Sequence, residues 1–237
     1  MEHPLFIALD MSSKAEAEDF LKRFDGRLPA LKVGMELFYT AGPAFIHNLK
    51  ERGHPLFLDV KCHDIPKTVE RTMKQIAGLG VDLVTTHALG GTEMMEAARE
   101  GLEQGQIHGQ ARTKCIAVTA LTSMTEQMLH EQLLIQTSLD ETVRHLAKAT
   151  ITAGLDGVVC SVHEVRDLRR SVADDIFTLT PGIRMAGADT HDQKRSATPE
   201  TARAEASSAI VVGRAITESV DPVATYDQIY ERWHGLS

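Results

Sequence analysis

Short apolar runs recur along the whole chain, at Leu5–Asp10, Ala30–Gly34, Leu56–Lys61, Leu83–His87, Lys114–Leu121, Gly157–Val162, Ile176–Pro181 and Ala209–Gly213. Most are nearly continuous rather than alternating, the pattern of parallel strands covered on both faces. The gaps between them carry helical spacing. Ala17, Phe20, Leu21 and Phe24 follow i, i+3, i+4, i+7, as do Val69, Thr72, Met73 and Ile76, and Val143, Leu146, Ala147 and Thr150. Val223, Tyr226, Tyr230 and Trp233 repeat it more loosely. Strand-then-helix units repeated from end to end predict one α/β domain over residues 1–237, a (β/α)8 TIM barrel with eight parallel strands and outer helices. An open, doubly wound sheet shares this periodicity and is the alternative.

Two connections exceed the minimum. Thr122–Ser138 follows the fifth strand and is expected to contain a short helix. Ile183–Thr198 follows the seventh; it is polar, bears glycine and has almost no large apolar anchor, so it is expected to be mobile and able to close over a ligand.

The chain has 237 residues, 43% of them hydrophobic, enough for one large core. Its formal charge of −8 argues against a nucleic-acid partner, which needs clustered Lys and Arg, but leaves room for a basic pocket around a single phosphate. Cys62, Cys115 and Cys160 are far apart, without metal-ligand pairing, and read as reduced core residues. Met1-Glu2-His3-Pro4 lacks the basic start and apolar stretch of a signal peptide, and no apolar run approaches the roughly 20 residues that span a bilayer. A cytoplasmic protein without a membrane partner is expected.

The most unusual stretch runs from Asp59 to Val69. Asp59 and Lys61 stand two apart at the end of an apolar strand, so they are expected to project from one face, at the end of a barrel where active sites are built. Pro66 marks the start of the next helix. Lys32 ends the second strand and Asp10 the first, so parallel strands would bring Asp10, Lys32, Asp59, Lys61 and Asp64 to one mouth. The bland alternative is an ion-pair network that closes the barrel, but several buried charges are costly unless they serve a ligand. Two cations interleaved with carboxylates suit proton handling beside a developing negative charge, since a lysine there both stabilises a carbanion and delivers a proton.

At the other end of the chain, Gly213 and Arg214 follow the eighth strand. Glycine permits close backbone approach, a following helix would aim N–H groups at an anion, and the guanidinium fork suits phosphate oxygens. Pro181, Gly182 and Arg184 follow the seventh strand and lead to Gln193; as a pattern alone these fit a turn and a solvated loop equally well.

These residues carry a resemblance. Asp59 to Val69 is similar to the D-x-K-x-x-D-I-P-N-T-V signature of the orotidine 5′-phosphate decarboxylase family. The match extends to Ala8-Leu9-Asp10, Lys32-Val33-Gly34, Leu121-Thr122-Ser123, Pro181-Gly182-Ile183-Arg184, Asp192-Gln193 and Val212-Gly213-Arg214, in family order. The resemblance implies decarboxylation of orotidine 5′-phosphate to UMP and CO2, the last step of UMP biosynthesis, with neither metal nor organic cofactor. It implies that Lys61 gives a proton to C6 of the pyrimidine, within a network of Lys32, Asp59, Lys61 and Asp64. Asp64, Ile65 and Thr68 would reach the partner's site in a homodimer. Asp10 and Lys32 would hold the ribose, Thr122 or Ser123 the pyrimidine edge, and Gln193, Gly213 and Arg214 the phosphate, with Pro181 and Arg184 nearby. Lys67 departs from the signature, which has Asn there. His63, inside the signature, tempts a general-base reading that the family's lysine chemistry does not need.

Other classes lose their support. The eleven histidines show no H-x-x-x-H, and no G-x-S-x-G, G-x-x-x-x-G-K-[ST] or G-x-G-x-x-G element lies at a strand-to-helix turn. Related metal-dependent sugar-phosphate lyases resemble the D-x-K-x-x-D strand but not its I-P-x-T-V continuation. A silent phosphate-binding barrel would be expected to lose the charged strand end.

Overall fold

The computed structural model describes residues 3–185 and 196–236. Eight parallel strands close into a barrel in chain order: β1 (Leu5–Leu9), β2 (Ala30–Gly34), β3 (Leu56–Cys62), β4 (Leu83–His87), β5 (Lys114–Val118), β6 (Gly157–Val159), β7 (Phe177–Thr180) and β8 (Ala209–Val212). Closure is explicit, because β1 pairs with β8 through Leu5–Ile210 and Ile7–Val212, which removes the open-sheet alternative. Around it lie α1 (Lys14–Lys22), α2 (Met35–Glu51), α3 (Pro66–Ala77), α4 (Thr92–Gly105), α5 (Glu126–Glu131) and α6 (Leu139–Thr152). α7 (Val165–Ser171), α8 (Pro199–Ala204), α9 (Arg214–Thr217) and α10 (Pro222–His234) complete the set among the described residues.

Local chemistry explains the boundaries. Ser13, Thr125, Ser138 and Asp221 accept backbone N–H groups at the starts of α1, α5, α6 and α10, satisfying donors a helix leaves open. Pro66 and Pro222 sit in the first turns of α3 and α10, where no N–H is needed. The short helix expected after the fifth strand is α5. β6 stops at Val159, before the expected Val162, because Ser161 opens a capping box with Glu164 and takes the chain out of the sheet. On α10, Ile229 and Trp233 are buried while Tyr230 stays exposed, so the looser periodicity placed one residue on the wrong side.

Phe6, Ala8, Phe57, Leu83, Ile116, Leu179, Ala209 and Val211 pack inside the barrel, and a larger apolar cluster lies between the barrel and its helices. Phe6 and Phe57 meet edge-on at 5.6 Å. This stack fills the lower barrel, and Ala8, Phe57 and Val211 at its top form the floor of a cavity. Outside, α3 and α4 pack backbone to backbone: a Cβ on Gly101 would collide with the Glu70 carbonyl, and one on Gly105 with that of Lys74.

Candidate functional site

The cavity occupies the C-terminal mouth of the barrel and holds about 250 Å³. β1, β2 and β3 supply its charged side, β5, β6 and β7 an apolar wall, and the turns after β7 and β8 two guanidinium groups.

Four of the five expected charges meet. Lys32 Nζ lies 3.1 Å from Asp10 Oδ1 and 3.7 Å from Asp59 Oδ2, and Lys61 Nζ donates to Asp59 Oδ1 at 2.9 Å. Signs thus alternate from Asp10 through Lys32 and Asp59 to Lys61, so each cation keeps a carboxylate partner despite partial burial. Two glycines leave this row its space. A Cβ on Gly34 would stand 3.2 Å from Lys32 Nζ, and one on Gly213 would stand 3.1 Å from Asp10 Oδ2.

Strand alternation is not what brings Asp59 and Lys61 together. The β3–β4 register shifts between Leu58 and Cys62, and Lys61 adopts a left-handed φ of 47°. A non-glycine residue held there is strained, and such strain persists only where neighbours enforce it. Thr85 of β4 does so. Its hydroxyl accepts the Lys61 N–H at 3.0 Å and donates to Asp59 Oδ1 at 2.9 Å. Thr85 escaped sequence reasoning because threonine is an ordinary strand residue; its one signal was a polar pair, Thr85-Thr86, at the end of an apolar run.

The fifth charge stays outside. After Lys61 the chain turns toward Pro66, leaving Asp64, Ile65 and Thr68 exposed on the rim, with Asp64 Oδ1 accepting the Ile65 N–H at 2.6 Å. Burial, with Asp64 adding to it, raises the Cys62 thiol above its usual range. Burial chiefly, then His63 and Lys61, lowers the His87 imidazole.

The wall opposite comprises Val118, Ala120, Leu121, Thr122, Val159, Cys160, Leu179 and Pro181. Its apolar members read as core in the sequence. Thr122 lines the cavity, whereas Ser123 is exposed beside it. Arg184 is only 8% exposed and lines the cavity, so it is no solvated loop residue. Ala197 N donates to Gly182 O at 3.2 Å and Arg184 N to Ala197 O at 2.9 Å, which ties together the two ends of the connection after β7. Gln193 lies outside the described residues, as does the central part of the connection expected to move. Gly213 and Arg214 line the cavity as expected, but the helix behind them, α9, is a single turn. Its dipole is therefore slight, and the two guanidinium groups carry the positive charge on this side of the cavity. Among the described residues, no group of three His, Cys, Asp or Glu is arranged to hold a metal ion.

A family model described as orotidine 5′-phosphate decarboxylase / HUMPS family matches residues 3–229. A protein named orotidine 5′-phosphate decarboxylase from Bacillus licheniformis is 54% identical over 232 residues, covering 98% of this chain and 97% of that protein. One of the same name from Bacillus cytotoxicus is 51% identical over 237 residues, covering 100% of both. The crystal structure of orotidine 5′-phosphate decarboxylase from Lactobacillus acidophilus superposes with a TM-score of 0.88 at 39% identity, covering 98% of this chain and 99% of that one. An uncharacterized conserved protein from Geobacillus kaustophilus gives a TM-score of 0.87 at 46% identity, covering 97% and 100%.

Proposed function

Because this chain belongs to the orotidine 5′-phosphate decarboxylase / HUMPS family, we propose a residue-level account of how it converts orotidine 5′-phosphate to UMP and CO2 in pyrimidine biosynthesis. The observation that carries it is the row Asp10–Lys32–Asp59–Lys61, with contacts of 2.9 to 3.7 Å along one side of the cavity.

The phosphate lies toward Arg184, Gly213 and Arg214, with Gln193 joining them from the connection after β7. Asp10 and Lys32 hold the ribose hydroxyls. The pyrimidine rests on the wall from Val118 to Pro181, with Thr122 at its polar edge; Ser123 is the second candidate there. The C6–carboxylate bond breaks heterolytically, CO2 leaves, and the electron pair stays on C6. The Lys61 ammonium stabilises that charge and gives C6 its proton, and lysine is then reprotonated by solvent. No electron is gained or lost overall and the proton comes from a side chain, so the chemistry calls for neither metal nor organic cofactor. Asp59 keeps Lys61 aimed and gains relief as the substrate carboxylate departs. Grip on the distant phosphate adds binding energy that orients the ring.

We assign the working unit to a homodimer in which Asp64, Ile65 and Thr68 complete the partner's cavity. Support comes from the rim itself, where Ile65 is 67% exposed and Met35, Tyr39 and Leu89 are also exposed after neighbouring strand ends. We place the enzyme in the cytoplasm, without nucleic-acid or membrane partners. No disulfide joins its three cysteines, its formal charge is −8, and no helix among the described residues is long and apolar enough to cross a membrane.

The test is loss of orotate absorbance when purified protein meets orotidine 5′-phosphate in excess EDTA, with UMP identified as product. Activity that appears only after magnesium is added, and only on a sugar phosphate, would move the chain to the metal-dependent lyases.

A further inference from the structure

Three consecutive residues at the end of β4 hold, in turn, the last two residues of the distorted end of β3 and the one that follows it. Thr85 accepts the Lys61 N–H at 3.0 Å, and Thr86 Oγ1 donates to the Cys62 carbonyl at 2.7 Å. The His87 ring stacks on that of His63, with centroids 5.5 Å apart and planes at 24°. The stack has a built seat. A Cβ on Gly90 would collide with the Met94 thioether and come within 3.3 Å of His63 Cδ2, so glycine leaves the imidazole its space. His87 Nδ1 also accepts the Leu89 N–H at 3.3 Å, which requires that nitrogen to be unprotonated and caps the turn Ala88–Gly90.

We propose that the His63–His87 stack is a positioning device for Lys61, holding the Lys61–Asp64 turn in place while His87 is neutral and releasing it when His87 is protonated. Neither ring touches reacting atoms. They act through the backbone that follows Lys61, whose left-handed conformation needs outside support. The inference rests on the reading of Lys61 as proton donor.

Charge points the same way. Burial, then His63 and Lys61, all disfavour a proton on His87, and its register partner on β5 is the uncharged Val118. A proton on Nδ1 would face the Leu89 N–H and end that cap. The neutral, closed arrangement is complete above about pH 6.5, the ordinary imidazole value, and is lost as pH falls through the lowered folded value.

The experiment measures kcat and KM between about pH 5 and pH 8 for the native enzyme, His63→Ala and His63→Phe, a range that brackets imidazole titration. His63→Ala is expected to lower kcat at the alkaline end by about ten-fold with KM little changed, as misplacement of a reacting group does. His63→Phe restores a ring against His87, so it is expected to recover most of that loss and to keep an acid limb, since His87 remains. The substrate phosphate itself titrates near about pH 6, so the readout is the difference between variants. Native kcat in His63→Ala, or no recovery in a His63→Phe that keeps its native circular dichroism, overturns the proposal. So does an imidazole proton signal of His87 titrating at the ordinary value in the native enzyme. Full turnover by Lys61→Ala in the same assay would instead defeat the lysine reading on which the proposal rests.

Discussion

Replacing Thr85 by valine keeps the volume of a buried strand residue and deletes one oxygen, which has two jobs. It donates to Asp59 Oδ1 at 2.9 Å and accepts the Lys61 N–H at 3.0 Å. A hydrogen bond to a charged group contributes roughly 1.5–3 kcal/mol, and a buried donor left without a partner costs about 1–3 kcal/mol. Burying one polar oxygen fewer offsets part of this, so the net loss is about 2–4 kcal/mol. For a chain of this size that lowers Tm by about 4–16 °C. The kinetic effect has a different origin. Lys61 sits in a left-handed conformation that Thr85 helps enforce, so its ammonium is expected to shift by about 1 Å and kcat to fall about 100-fold. KM should hold, because Thr85 is not among the residues lining the cavity. Orotate absorbance gives the rates and calorimetry the Tm, with Thr85→Ser as the variant that restores both bonds. A Thr85→Val enzyme with kcat within about threefold of native and a Tm shift under about 2 °C would refute the argument that these two bonds set the lysine.

Lys61→Ala is expected to abolish turnover while UMP still binds, read by calorimetric titration. Lys61→Gly should be just as inactive yet more stable than Lys61→Ala by about 1 kcal/mol in urea unfolding, because glycine accepts a positive φ without strain. Mixing Lys61→Ala with Asp64→Ala subunits should restore part of the lost activity, since one cavity in each mixed dimer is then whole; no recovery after proven subunit exchange counts against the shared rim. Arg214→Ala is expected to raise KM about 10- to 100-fold with a smaller change in kcat, the cost of one charge-assisted contact to phosphate. The buried His54, its Nδ1 on the Pro29 carbonyl at 3.0 Å, has its pKa lowered chiefly by burial. Folding therefore favours the neutral imidazole, so its contribution is fully present above about pH 6.5 and is lost as pH falls through the lowered folded value. Urea titrations across that range should show stability declining on the acid side, and less steeply in His54→Gln.

The strands were legible because a closed parallel barrel is apolar on both faces, and β2 and β4 match the sequence reading residue for residue. Their C-terminal ends were less so, for a physical reason. Ala120 and Leu121 continue the apolar run of β5 but leave the ladder to line the cavity, and composition cannot report the loss of a hydrogen-bonded neighbour. The same limit hid the wall: Val118 and Leu179 facing a ligand look no different from Val118 and Leu179 facing a core. Charges were easier, since Lys32, Asp59 and Lys61 at strand ends have no cheap structural excuse. The backbone that makes them meet was not legible, because nothing in Asp59-Val60-Lys61 announces a left-handed residue. Asp64 was placed at the mouth by its proximity to Lys61, and within one chain the turn toward Pro66 carries it away.

The close seating of α3 on Gly101 and Gly105 has a bearing on transplantation. α3 begins at Pro66, inside the rim segment Asp64–Thr68, and its backbone at Glu70 and Lys74 rests directly against Gly101 and Gly105 of α4, which leaves little to absorb a misfit. Anyone grafting this rim onto a different scaffold would therefore have to move a two-helix module. The signature peptide alone would arrive without the bed that sets its angle, and a single methyl group at position 105, where the two helices meet, would tilt the rim from a distance.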